Sequence, residues 1–304
     1  MIVSSPRRPR LAVVCLLALA GLTASVLGQV YRDSVELVVV SATVIDRDGR
    51  PVLGLAREDF SVFEDGVAQS VSQFSGERVP ISLGILVDVS DSMFGQRIAD
   101  ARRAIDRFVL ELLLPEDEAF LMVFNHEPDL VAGWTVPPRA LAGRLDAARS
   151  FGGTALYDAV IRAAPLFATR RHHRCGLVII SDGEDTASDA KLQQALAALS
   201  RTDAFVYGIA IDAPGGPAIN RRFSPSALRE ITGQNGGYTA VIHSTPDLGD
   251  ATDRIATELN HQYTLGYASG HGLDGKYHLL RVRMRDPSQF VRSRRGYFAT
   301  PRIR

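Results

Sequence analysis

The chain has 304 residues, and its 34 Lys and Arg balance 34 Asp and Glu, so it carries no formal net charge at pH 7. This balance gives no case for a nucleic-acid-binding protein, because such proteins usually show an excess of basic residues. The hydrophobic fraction of 46% is normal for a globular protein, and the length allows one large domain or two smaller ones.

The N-terminus carries a pattern typical of export. Arg7, Arg8 and Arg10 precede the apolar stretch LAVVCLLALAGLTASVLG, which is rich in small residues towards its end. This order is typical of a cleaved signal peptide over residues 1–28. The stretch is also close to the length that spans a bilayer, so an uncleaved anchor stays open as the alternative. The sequence thus predicts a periplasmic, secreted or envelope-anchored protein, with membrane contact only if the segment is uncleaved.

The chain has two cysteines, Cys15 and Cys175. Cys15 lies in the apolar core of the export segment and would leave with a cleaved signal. The exported protein would then hold one thiol and no internal disulfide. Because Cys175 precedes the strand-like GLVII, we interpret it as a small buried hydrophobe and not as a nucleophile.

Two β-rich segments, residues 30–78 and 263–304, flank the rest of the chain. The first contains the long β-branched stretch SVELVVVSATVID and a strong hairpin signal at Asp65–Gly66. The second contains KYHLLRVRMR, in which apolar and basic positions alternate. We interpret the two segments as one small β-sandwich. Two independent hairpins that pack separately on the central region are the alternative.

Residues 80–262 alternate between apolar strands and amphipathic helices. This alternation predicts βαβ units and a doubly wound, mostly parallel sheet, an α/β fold of the Rossmann-like kind. PDLVAGWTV is expected as an antiparallel edge strand. Helices are expected over residues 98–112 and 138–149 and in four further stretches: TALYDAVIRAAPLF, SDAKLQQALAALSR with Ser188 as its cap, SPSALREIT, and STPDLGDATDRIATELNHQ with Ser244 or Thr245 as its cap.

Oxygen-bearing side chains follow three of these segments. The strand GILV ends at Asp88, Ser90 and Ser92, Thr154 follows a Gly-Gly pair, and Asp182 follows the strand LVII. Ligands of such sheets bind outside the carboxyl ends of the strands, and residues two apart in an extended chain share a side. Hydroxyl and carboxylate oxygens suit a hard cation, so the sequence predicts a site for Mg²⁺, or for Mn²⁺ or Ca²⁺ in its place.

Each of these features alone has an ordinary structural explanation. Ser92 or Thr154 can cap a helix, and Asp182–Gly183 can form a turn. Their combination, in order, on three segments favours the cation site. His126 and Glu184 are candidates for a partner-binding rim around it. His172–His173 is a weaker metal candidate, because it lies in a basic loop without a third ligand.

The same residues resemble a known family. DVSDSM matches the DxSxS pattern of von Willebrand factor type A domains, and GGTALYDA and ISDGEDT match the other two signature positions. The resemblance covers residues 80–262 and implies a metal-ion-dependent adhesion site. Its residues would be Asp88, Ser90, Ser92, Thr154 and Asp182. The flanking segments are similar to those of a bacterial exported group, the VWFA-related domain proteins.

We therefore hypothesise a metal-dependent protein-binding module, for adhesion or scaffolding, and not an enzyme. A dication with few direct anionic ligands stays electrophilic, so it favours one more oxygen from an Asp or Glu of a protein partner. A metal-assisted hydrolase is the first alternative, with His126 as the only nearby candidate base. A structural domain with an unused metal site is the second.

Overall fold

The computed structural model describes Met1 and residues 36–146, 148–212 and 223–300. Apart from Met1, the predicted export segment lies outside these described residues. Within the described part of the chain, no helix combines the length and the hydropathy that a bilayer crossing requires.

The strands of the described residues, numbered in chain order, are β1 Glu36–Ile45, β2 Phe60–Glu64, β3 Val67–Gln69, β4 Val71–Ser75, β5 Ile81–Asp88, β6 Glu118–Phe124, β7 Pro128–Thr135, β8 Arg174–Ser181, β9 Phe205–Ile211, β10 Thr239–Ile242, β11 Tyr263–Ser269, β12 Tyr277–Met284, β13 Phe290–Ser293 and β14 Gly296–Phe298. The α-helices are α1 Gln96–Arg107, α2 Leu156–Ala163, α3 Leu192–Leu199, α4 Ser226–Gln234 and α5 Thr245–Asn260. Short 3₁₀ and π turns extend several of them.

A six-stranded sheet carries the middle of the chain, with the strand order β10-β9-β8-β5-β6-β7. All neighbouring pairs are parallel except β6 and β7, which pair antiparallel at one edge. The predicted doubly wound, mostly parallel α/β fold is therefore confirmed, and so is PDLVAGWTV as its antiparallel edge strand.

Helices cover both faces of this sheet. One hydrophobic cluster joins α1 and α5 to the sheet, for example through Ile105 and Ile255. A second cluster joins α2, α3 and α4 to the opposite face, for example through Leu156 and Leu196. Every residue of β5 and of β8 is buried as a result. Two-sided burial explains why these strands are continuously apolar in sequence and do not alternate.

The prediction of a helix over residues 138–149 is wrong. Among its described residues, only Pro138–Leu141 forms a short 3₁₀ helix, and turns follow it. Gly143 has a φ of 71°, which interrupts helical geometry. The guanidinium of Arg102 then donates hydrogen bonds to the carbonyl oxygens of Leu145 and Ala148, at 3.1 and 2.7 Å. Tertiary hydrogen bonds thus replace the helical ones at these carbonyls.

The sequence analysis predicts that Ser188 caps the helix that follows it, and this prediction is wrong. Helix α3 begins later, after Lys191, whose backbone N–H donates to the Gln194 side chain at 2.8 Å. The Ser188 hydroxyl instead accepts hydrogen bonds from the backbone N–H groups of Tyr157 and Asp158, at 3.1 and 3.2 Å. It therefore satisfies the N-terminus of α2, a helix that is distant in sequence.

The two flanking segments form two antiparallel four-stranded sheets, ordered β13-β1-β11-β4 and β14-β12-β2-β3. Strands from both ends of the chain pair within each sheet: β1 pairs with β11, and β2 pairs with β12. The two sheets share one hydrophobic cluster, which includes Val40, Val62, Leu265 and Val282. The Asp65–Gly66 turn joins β2 and β3, with φ values of 48° and 86°, as expected for this hairpin signal.

Gly84 provides a test of the packing beneath the strand ends. A Cβ atom at this position would clash with the Phe120 ring and lie 2.9 Å from Leu177 Cδ1. We expect Gly84→Ala to lower the free energy of unfolding by about 1–3 kcal/mol, because overpacking a closed core forces neighbours to shift. Urea unfolding measures this loss.

Gly133→Ala is the matched control, because a Cβ there meets nothing within 4 Å in the edge strand β7. It should change the free energy of unfolding by less than about 0.5 kcal/mol. Equal losses in the two variants would contradict the tight packing of β5 against β6 and β8.

Candidate metal centre

The candidate site lies where β5 and β8 end. Asp88 is the last residue of β5, and Asp182 directly follows Ser181, the last residue of β8. The two strands are hydrogen-bonded parallel neighbours, with Val87 opposite Ile180. Their carboxyl ends therefore meet at one edge of the sheet, where such folds place their ligands.

Asp88 is fully buried and held by hydrogen bonds from both strand ends. Its Oδ2 accepts a hydrogen bond from the Ser181 hydroxyl at 2.6 Å. Its Oδ1 accepts one from the backbone N–H of Ser90 at 2.8 Å. These contacts fix the orientation of the carboxylate and connect the loop after β5 to β8.

Ser90 and Ser92 lie side by side as the chain leaves β5. Their Oγ atoms are 3.0 Å apart. Ser90 is buried and Ser92 is half-buried, whereas Asp91 between them is exposed. Asp91–Met93 forms a short 3₁₀ helix that begins after Ser90, so this turn, and not the strand alternation expected from the sequence, brings the two hydroxyls together and leaves Asp91 exposed.

Thr154 reaches the same neighbourhood from a third loop. Gly152, with a φ of 77°, turns this loop so that its carbonyl oxygen accepts from the Asp91 N–H at 2.9 Å. The Thr154 carbonyl accepts from the N–H groups of Thr186 and Ala187, at 2.9 and 3.0 Å, in the segment after β8. The loop that carries the buried Thr154 is therefore hydrogen-bonded both to the segment after β5 and to the segment after β8.

Arg97 is a residue of the candidate site that the sequence analysis misses. Its side chain is fully buried near the start of α1. One nitrogen, Nη1, donates to Asp182 Oδ2 at 2.9 Å and to the Ser92 carbonyl at 3.0 Å. The other, Nη2, lies 3.9 Å from Asp212 Oδ1, beyond the end of β9. One sequence signal could have pointed to Arg97. Asp88, Asp182 and Asp212 lie at or just after the ends of three strands, and buried carboxylates favour a positive charge nearby.

The electrostatics of the site favour a further cation. Burial, and then the charge of Asp182, raise the pKa of Asp88 to about 7. Burial also raises the pKa of Asp182, against the lowering effects of Ser92 and Arg97. Among the described residues, the buried Asp182 Oδ1 has no hydrogen-bond partner. Two buried carboxylates, an unpartnered oxygen and adjacent hydroxyls form a donor set that suits a hard divalent cation.

The two predicted rim residues lie close to these loops. His126 follows β6 and is exposed, and its ring centroid is 5.7 Å from that of Phe151 in the Thr154 loop. Glu184 is half-buried and follows Asp182 by two positions. The neighbouring Asp185 instead caps α2, because its Oδ2 accepts from the Tyr157 N–H at 3.0 Å.

Two other residues that the sequence analysis discusses, the weaker metal candidate His172 and the buried Cys175, lie away from this edge. His172 precedes β8 at the opposite end of the sheet, where its N–H donates to the Ser82 hydroxyl at 3.1 Å. Cys175 is buried within β8, at 2% exposure, as its apolar context predicts. Neither residue takes part in the candidate site.

The fold and the site define a doubly wound α/β domain with carboxylate and hydroxyl side chains clustered at its strand ends. Residues 83–184 match the family model described as the von Willebrand factor type A domain. This part of the chain is therefore similar to von Willebrand factor type A domains, as the sequence resemblance indicates. No curated protein sequence matches the chain.

Solved structures show the same fold. BatB, a conserved hypothetical protein from Bacteroides thetaiotaomicron, is 20% identical, with a TM-score of 0.50, over 59% of this chain and 98% of its own. A von Willebrand factor type A protein from Catenulispora acidiphila is 14% identical, with a TM-score of 0.52, over 77% of this chain and 71% of its own. Proximal thread matrix protein 1 from the mussel byssus is 12% identical, with a TM-score of 0.50, over 70% of this chain and 51% of its own. At these identities the likeness concerns the fold alone.

Proposed function

We propose that this chain is an exported protein-binding module that docks its partner through a divalent cation at the ends of β5 and β8. The observation that carries the proposal is the pair of seryl hydroxyls, Ser90 and Ser92, 3.0 Å apart beside the buried Asp88. Asp182, with one oxygen on Arg97 and the other without a partner among the described residues, completes the donor set.

In this proposal, Ser90, Ser92 and Thr154 supply neutral oxygens to the ion. Asp88 and Asp182 balance its charge, directly or through water. Mg²⁺ is the first choice, since it takes oxygen ligands and keeps some water, and Mn²⁺ or Ca²⁺ are alternatives. An ion held largely by neutral oxygens retains affinity for another anionic ligand. The Asp or Glu side chain of a protein partner supplies that ligand.

We propose binding and not catalysis for this site. Hydrolysis at a metal requires a base or nucleophile placed beside the ion and the substrate. The hydroxyls here serve as ligands, and His126, the candidate base, is exposed and lies against Phe151. Turnover of generic ester or phosphoester substrates that disappears in Asp88→Asn would instead support the hydrolase.

Export is part of the same proposal. It is supported by the basic residues and the apolar stretch at the N-terminus, which is typical of a signal peptide. Fusion of residues 1–35 to a reporter that is active only outside the cytoplasm tests it. An inactive reporter would contradict export.

The docking proposal is tested by metal-dependent capture of partners from native envelope extracts. We expect the wild-type chain to retain a protein in Mg²⁺ and to release it in EDTA. Thr154→Val should not retain it, because the substitution keeps the shape and removes one ligand. Asp91→Ala is the matched control, since Asp91 is exposed beside the site, and it should behave as the wild type. Capture that persists in EDTA or in Thr154→Val would contradict cation-mediated docking.

Cation binding should also stabilise the isolated protein. An ion at about 100 times its dissociation constant adds about 2.7 kcal/mol to the free energy of unfolding. We therefore expect Mg²⁺ or Mn²⁺ to raise the melting temperature of the wild type and of Asp91→Ala. The rise should be clearly smaller for Thr154→Val, whose weaker site is filled to a lesser extent at the same ion concentration. A thermal-shift titration measures this, and equal shifts in all three proteins would place the ion elsewhere.

A further inference from the structure

The β-sandwich contains a second cluster of metal-ligating side chains, far from the candidate metal centre in sequence. Asp65 lies in the β2–β3 turn, His271 follows β11, and His278 belongs to β12. One ligand atom from each residue lies within 4.8 Å of the other two. We propose that these three residues form a Zn²⁺ site that ties the N-terminal flanking segment to the C-terminal one.

The distances already approach those of a zinc site. Asp65 Oδ2 is 2.8 Å from His278 Nδ1 and 3.7 Å from His271 Nε2. Zinc bonds to nitrogen and oxygen ligands are about 2.0–2.2 Å long, so two ligand atoms of a tetrahedral site lie about 3.3 Å apart. The observed separations lie on either side of this value, and small side-chain movements bring the three atoms around one ion.

His278 is oriented as metal-ligating histidines are. Its second ring nitrogen, Nε2, is 3.0 Å from Asp274 Oδ1. That oxygen also accepts a hydrogen bond from the Lys276 N–H at 2.9 Å. The Asp274 carboxylate keeps a proton on the distal nitrogen and increases the basicity of Nδ1. Nδ1 faces Asp65 at 2.8 Å, so Zn²⁺ would take the place of the proton that this contact shares.

The other two ligands are also held in place. Asp65 Oδ1 accepts from the Leu279 N–H at 2.8 Å, which leaves Oδ2 to face the histidines. The His271 ring stacks on the His278 ring, with centroids 4.4 Å apart and an interplanar angle of 22°. Such preorganisation lowers the cost of collecting the ligands around an ion.

The ligand types and their exposure favour an exchangeable Zn²⁺. Imidazole nitrogens suit zinc, whereas Mg²⁺ prefers oxygen, so the two proposed sites differ in ion preference. His278 is 4% exposed, but the side chain of His271 is 45% exposed, so an ion can enter and water can take the fourth position.

A buried carboxylate lies beneath the cluster. Glu64 Oε2 is 3.9 Å from His271 Nε2, and Glu64 Oε1 accepts from the hydroxyls of Tyr267 and Tyr297, at 2.9 and 2.6 Å. This carboxylate adds negative potential next to the proposed ion. The ion would in turn cross-link Asp65 and His278, which are 213 positions apart in sequence.

Isothermal titration of the full chain with Zn²⁺, in saturating Mg²⁺ to fill the first site, tests the proposal. We expect one Zn²⁺ per chain, and at least tenfold weaker binding in His271→Ala and in Asp65→Asn. Asp274→Asn should weaken binding about 10- to 100-fold, because it removes the support of His278. His172→Ala with His173→Ala is the matched control, and it should bind as the wild type.

The experiments distinguish a failure of the zinc proposal from a failure of the proposed cation site at the sheet edge. Thr154→Val should keep its Zn²⁺ binding, because it alters only the site at the sheet edge. Absence of Zn²⁺ binding in the wild type, or undiminished binding in both His271→Ala and Asp65→Asn, would overturn the zinc site. Either result would identify the cluster as an ion-pair network of His278 with Asp65 and Asp274.

Discussion

Replacement of Arg97 with methionine should lower the free energy of unfolding by about 3–5 kcal/mol, the usual loss when one partner of a buried ion pair is removed. Arg97 is fully buried and donates to Asp182 Oδ2. Methionine fills much of the same volume but leaves the Asp182 carboxylate, with Asp88 nearby, without its buried positive charge. Urea unfolding in EDTA measures the loss.

Arg162→Met is the matched control, since Arg162 is exposed near the end of α2. It should change the free energy of unfolding by less than about 0.5 kcal/mol. Saturating Mg²⁺ should restore part of the stability of Arg97→Met, because the ion supplies positive charge to the same carboxylates. A loss below about 1 kcal/mol in EDTA would contradict the role of Arg97 as the internal counter-charge.

Phe120→Ala should also have a large effect and lower the free energy of unfolding by about 3–5 kcal/mol. Phe120 is fully buried in β6 and packs edge-on against Trp134 and Phe167, with ring centroids 4.8 and 5.7 Å away. The ring also fills the space above Gly84 in β5. Truncation to alanine therefore leaves a cavity between the central strands and the α2 face.

A double-mutant cycle with Gly84→Ala isolates this contact. The Cβ of Gly84→Ala clashes with the Phe120 ring, so Phe120→Ala removes the clash and the added methyl fills part of the cavity. The double variant should thus be more stable than the sum of the single losses predicts, with a coupling of about 0.5–3 kcal/mol. Additive losses in urea unfolding would contradict the contact.

The architecture of the central sheet could be predicted because its physical causes are local. The parallel strands are buried on both faces, so β5 and β8 appear in sequence as continuous apolar stretches. The hairpin at Asp65–Gly66 was predictable for a similar reason, since these residue types accept positive φ values. The candidate ligands could be named because they lie at the end of a strand, within a few residues after it, or after a glycine turn.

The features that sequence reasoning missed depend on contacts between distant residues. The 138–149 segment has helical periodicity, but Arg102 of α1 takes the carbonyls of Leu145 and Ala148. Burial of Arg97 could not be predicted from its own helix, because an arginine there is ordinarily solvent-exposed. The His271–His278 cluster also requires tertiary structure, because its third member, Asp65, comes from the other end of the chain.

The contacts of Arg97 also affect the proposed cation site. By bonding to Oδ2, the guanidinium fixes the Asp182 carboxylate and leaves Oδ1 buried and available. The arginine thus acts as a positioning residue and lowers the repulsion between Asp182 and Asp88 without saturating either. We therefore expect the protein to stay folded without the proposed ion and to gain stability when the ion binds.

Titration of the chain with Mn²⁺, followed by the electron paramagnetic resonance signal of the free ion, tests the central claim most directly. We predict one tightly bound Mn²⁺ per chain in the wild type and in His271→Ala, with at least tenfold weaker binding in Thr154→Val and in Asp88→Asn. An absence of tight Mn²⁺ binding in the wild type, or binding that both site variants retain, would contradict a cation at the ends of β5 and β8.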